Sequence, residues 1–105
     1  MVKTVKSLTD FKEDLTNAGS ILVVVYFHAE WNRDSHAIIH VIKELESVYS
    51  DVLFLSADVD EAEDLVGTYE IYEMPTFKFF RNGTLINELT GADEALLKHL
   101  VDTLR

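Results

Sequence analysis

At 105 residues and 12.0 kDa the chain has the length of one domain. With 48% apolar residues it can bury a core without disulfide or metal support. Its 9 Lys and Arg stand against 19 Asp and Glu, a net charge of −10 that repels nucleic-acid phosphates and anionic lipid. There is no cysteine, which excludes disulfide scaffolds, thiolate metal sites, cysteine nucleophiles and dithiol redox chemistry.

Val2-Lys3-Thr4-Val5-Lys6 alternates and predicts a short edge strand. Ser7 then opens a helix as a cap, with Asp10 in the first turn. Phe11, Leu15 and Ala18 recur at helical spacing, and Gly19 stops it. Residues 21–27 are apolar on both faces, the pattern of a central strand covered on both sides. The run is too short to cross a bilayer, which needs about 20 residues. Met1-Val2-Lys3 opens no signal-peptide pattern, so a cytoplasmic chain is expected.

Asn32 is a good helix cap, and Asp34 suits the first turn after it. Ile38, Val41, Ile42, Leu45, Val48 and Tyr49 predict one continuous helix beyond that start. Residues 52–57 read as a second buried strand. Asp60 and Glu63 suggest another cap, with Ala62, Leu65 and Val66 inward and Gly67 as the stop. Pro75 breaks the chain. Residues 76–81 and 84–89 flank Asn82-Gly83, a strong two-residue hairpin signal. Asp93 caps a last helix with Leu96, Leu97, Leu100, Val101 and Leu104. The order β-α-β-α-β-α-β-β-α predicts a single α/β domain over 1–105, with a mixed five-stranded sheet and helices on both faces.

These segments together resemble the thioredoxin family over the whole chain. The resemblance rests on "VVVYFHAEW", "ADVDEAEDL", "MPTFKFFRNG" and "TGAD", in that order and spacing. It implies the thioredoxin fold and a cis peptide bond before Pro75, in a loop facing the active site. It also places Trp31 before the family's Cys-Gly-Pro-Cys motif. Here that motif reads Asn32-Arg33-Asp34-Ser35. The buried acid that the family sets beneath its cysteines is Tyr26. The proline that kinks the family's helix is His40, so a straighter helix is expected. Thiol–disulfide exchange needs an attacking thiolate and a resolving thiol, and neither position can supply one. No catalytic residue and no cofactor are expected.

Other constellations are weaker. Asp34-Ser35-His36 has the residue types of a triad, but neighbours on a helix point about 100° apart and cannot form a relay. His36 and His40 stand four apart, as zinc-binding pairs do, but no third ligand is assured and no metal site is expected. The plainer reading is two solvent-facing histidines. Asp58, Asp60, Glu61, Glu63 and Asp64 lack the glycine and terminal Glu of a calcium loop, and read as a strand end with an acid-rich helical turn.

The resemblance also implies a shallow apolar patch of Trp31, Met74, Pro75 and Thr76 with Gly91 and Ala92, where the family holds an extended substrate chain. A monomer is expected, with no required partner, no nucleic acid and no membrane. Three readings follow. The first is a sequence rewritten to specify the fold without catalytic function. The second is a natural, catalytically dead relative that binds an extended peptide or protein at the Trp31/Pro75 surface. The third is an enzyme or metal protein using other residues on this scaffold.

Overall fold

The computed structural model describes residues 2–105. Its elements are β1 (Lys3–Thr4), α1 (Leu8–Ala18), β2 (Leu22–His28), α2 (Arg33–Ala37), α3 (Ile39–Val48), β3 (Val52–Asp58), α4 (Glu63–Tyr69), β4 (Thr76–Arg81), β5 (Thr84–Thr90) and α5 (Glu94–Leu104). The sheet order is β1-β3-β2-β4-β5. β3 runs parallel to β1 and β2, while β4 is antiparallel to β2 and β5.

β2 is the central strand because both of its faces are apolar. Leu22, Val24 and Tyr26 pack toward α3 and α5 with Ile38, Val41, Ile42, Leu97 and Val101. Val23, Val25 and Phe27 pack the other way, toward α1 and α4, with Phe11, Leu15 and Leu65. Phe11, Tyr69 and Phe80 meet edge to face there, with ring centroids 5.1–5.7 Å apart.

Local chemistry sets most of the boundaries. The Ser7 hydroxyl accepts from the Asp10 amide at 3.1 Å, and the Asp93 carboxylate from the Leu96 amide at 3.0 Å. Asn82 and Gly83 have φ of 52° and 76°, the left-handed pair a tight hairpin requires.

Three expectations are corrected. Gly67 lies inside α4, which instead ends at Glu70 in a left-handed conformation, φ 53°. Asp60 does not cap α4. The residue at that cap is Ala62, whose methyl group cannot accept a bond, and the Asp60 carboxylate accepts instead from the Trp31 indole at 3.1 Å. The helix after Asn32 does not run on without interruption, although no proline stands in it. It breaks at Ile38 into α2 and α3. The Tyr26 hydroxyl donates to the Ser35 carbonyl, the oxygen that an uninterrupted helix would offer to the amide of Ile39.

Candidate functional site

Strand register gathers the candidate residues at one end of the sheet. Phe27 pairs with Thr76 and His28 with Asp58, and Thr76 pairs in turn with Thr90. The loops adjoining those positions therefore lie side by side. The Val59 amide donates to the His28 carbonyl at 2.9 Å and the Gly91 amide to the Pro75 carbonyl at 2.8 Å, tying the loops together. The Met74–Pro75 peptide bond is cis.

Within this end, residues 32–35 form a closed joint. Asn32 is extended, and its side-chain oxygen accepts from the Ser35 amide at 2.8 Å. Ser35 is 2% exposed. Its hydroxyl oxygen accepts from the Ala29 amide at 3.2 Å, and its carbonyl accepts from Tyr26. Each backbone polar group of Ser35, and its hydroxyl, thus has a partner. Arg33 and Asp34 project into solvent.

Tyr26 reaches the joint from β2, where it is buried and stacks on Phe77 at 5.3 Å and on His28 at 4.9 Å. Burial pushes its phenol up to about 12, with the hydrogen bond to Ser35 opposing the shift. The group is therefore a protonated donor at neutral pH. It cannot take up a proton as a buried carboxylate can. His28 is half-buried, and burial lowers its pKa while Asp58 opposes the change. A cavity of about 250 Å³ lies against Tyr26, His28, Ser56, Ile39 and Ile42, between the sheet and α3.

The remaining candidates separate. The Asp34-Ser35-His36 set forms no relay, because His36 Nε2 contacts the Glu30 carbonyl at 2.6 Å and Ser35 is turned to Ala29. His40 lies beyond the break at Ile38, 3.8 Å from Glu94. Carboxylates of the 58–64 run go to different partners: Asp58 to the Asp60 amide, Asp60 to Trp31, Glu61 to Lys6 and Asp64 to the Leu8 amide. Among the described residues, no group of three or more His, Asp or Glu could hold a metal ion.

The expected apolar patch is redistributed. Pro75 and Thr76 are buried, and Met74 is half-buried against the α1/α4 core. Trp31 is 66% exposed, with its ring held by Asp60, and Tyr72 is 80% exposed three residues before Pro75. Sequence reasoning missed Tyr72 and the anchoring role of Asp60. The nearest signal was a tyrosine set among acids directly before the Met-Pro pair.

The chain matches the family model described as Thioredoxin over residues 2–104. It is 39% identical to thioredoxin of Homo sapiens over 104 residues, covering 99% of each chain. It is 40% identical to thioredoxin of Equus caballus, covering 96% of this chain and 100% of that one. Among solved structures, Fasciola hepatica thioredoxin superposes with a TM-score of 0.97 at 25% identity, covering 99% of this chain and 100% of that one. Thioredoxin of Plasmodium falciparum gives 0.92 at 33%, with 99% and 100% covered. No described helix is long and apolar enough to cross a membrane. Sequence and structure agree over the full chain, and with no cysteine to carry disulfide reduction it belongs, as a thiol-free member, to the thioredoxin family.

Proposed function

We propose that this protein is a redox-inactive, non-enzymatic thioredoxin-fold domain that binds an extended peptide segment at its Trp31/Pro75 end. The observation that carries the loss of chemistry is the absence of cysteine, which leaves Asn32 and Ser35 at the motif positions and makes Ser35 part of a closed joint. Its hydroxyl and carbonyl are both engaged, and the group beneath it is a tyrosine donor and not a proton-accepting acid. The exposed rings of Trp31 and Tyr72, on the loops at this end of the sheet, support retention of a binding surface, since aromatic side chains open to solvent can pack on an incoming segment.

A second reading is a sequence rewritten to specify the fold alone. Tyr26 favours it, since it replaces a destabilising buried acid with a hydrogen-bonded ring, and so do the well-formed caps at Ser7, Asn32 and Asp93. Titration with an uncharged extended peptide while following amide and indole NMR signals separates the two. Binding at this end predicts saturable shifts at the Trp31 indole N–H and the Gly91 amide. A rewritten scaffold predicts none. Turnover of a protein disulfide by clean protein, with thioredoxin reductase and its nucleotide supplied, would overturn the redox-inactive reading.

A further inference from the structure

Resting on that peptide-binding reading, we infer that the partner segment is basic, with Lys or Arg flanking an apolar residue. Most of the chain's cations lie away from this end or are already paired there, as Lys6 is with Glu61. Lys3, Lys6 and Lys12 sit on or beside β1 and α1, Lys43 and Lys98 on α3 and α5, and Arg81 and Arg105 where β4 and α5 finish. Arg33 and Lys78 remain, and Lys78 is already neutralised by Glu88.

A recess of about 180 Å³ opens beside the Pro75 loop. Its lining includes Glu70, Tyr72, Glu73 and Thr76 together with the Lys78–Glu88 pair. Glu88 is taken by Lys78, whereas Glu70 and Glu73 form no ion pair among the described residues. The second aromatic, Trp31, is held by Asp60. A partner segment lying along this end, with an apolar residue on the exposed ring of Trp31, would meet beside the Pro75 loop a recess with an aromatic side chain and two carboxylates outside any ion pair. A guanidinium or ammonium satisfies both features, by charge pairing and by stacking on Tyr72. A carboxylate in the same place meets like charge.

Three peptides of one length test this, sharing an apolar centre and flanked by Arg and Lys, by Ser and Gln, or by Glu. Trp31 is the only tryptophan, so its fluorescence reports binding at this end. In low salt the basic peptide should bind at least about tenfold more tightly than the neutral one, and the acidic one most weakly. The preference should shrink in high salt. Glu70→Gln with Glu73→Gln should bring basic and neutral affinities together while leaving the neutral affinity unchanged. A control pair on α1, Asp10→Asn with Glu13→Gln, should leave the preference intact. Equal binding of basic and neutral peptides overturns the charge inference and leaves the peptide-binding reading standing. Failure of all three to bind overturns that reading itself. Loss of the preference in the α1 control as large as in the Glu70/Glu73 pair would show unspecific attraction to an acidic protein, and overturn the assignment of the recess.

Discussion

Replacing Tyr26 with Phe removes one oxygen and leaves the ring stacking on Phe77 and His28 available. The hydroxyl is the side-chain donor to the Ser35 carbonyl, and both residues are buried. An unsatisfied buried acceptor costs about 1–3 kcal/mol. An uninterrupted helix would pair the vacated carbonyl with the Ile39 amide, so partial closure of the helix at Ile38 can recover part of that loss. The net expectation is about 1–2 kcal/mol, which for a chain of this size lowers Tm by about 5–15 °C. Thermal and urea unfolding of the two proteins at neutral pH give the comparison.

A second signature separates the hydroxyl from a packing effect. Burial raises the Tyr26 pKa to about 12 from 10.0, so the unfolded chain loses this proton first as pH rises. Its contribution is complete below pH 10 and declines between pH 10 and about 12. Tyr26→Phe should therefore destabilise the protein at neutral pH yet lose less stability than the parent on alkaline titration. An unchanged or raised Tm, together with identical alkaline slopes, would refute the account of the break at Ile38.

His28 carries a pH dependence of the opposite sense. Its folded pKa lies below the ordinary 6.5 because of burial, so its stability contribution is present above 6.5 and is lost as pH falls below it. His28→Gln should flatten the decline in urea-measured stability below that pH, and parallel declines would count against the burial argument. Glu70 holds a left-handed conformation at the end of α4, which glycine adopts without a Cβ penalty. Glu70→Gly should raise stability by about 0.5–1 kcal/mol in the same assay, and a loss would show that the side chain contributes where no bond is evident.

Much of this architecture is legible in the residues because it is local. Ser7, Asn32 and Asp93 cap their own helices within three residues, and Asn82-Gly83 sets its own turn. The two-sided strand at 22–28 is central because an apolar run of that length must be covered on both faces. The misses come from contacts between distant positions. Nothing near Ile38 announces a break, since the donor responsible lies on β2. Asp60 reads as a cap because its tryptophan partner is 29 residues away. Burial of Pro75 follows from the pairing of β4 with both β2 and β5, which draws the loop inward. The lost chemistry, by contrast, is fully visible in the sequence, because a missing cysteine has no structural substitute.

The central claim is that the reaction centre has become a structural joint whose surroundings no longer support thiol chemistry. Its most direct test is the rate of protein-disulfide reduction by Asn32→Cys/Ser35→Cys, with and without Tyr26→Asp. The two positions straddle one helical turn, so a disulfide should form in the double variant. Asp34 opposes thiolate formation by like charge, while Arg33 and the helix N-terminus favour it. Tyr26 is fixed as a donor and offers no proton acceptor. The account predicts slow turnover in the double variant and a gain of at least about tenfold when the acid is restored in protein shown to be folded. A double variant as fast as an ordinary thioredoxin, with no further gain from Tyr26→Asp, would contradict it and show that only the two sulfurs are missing.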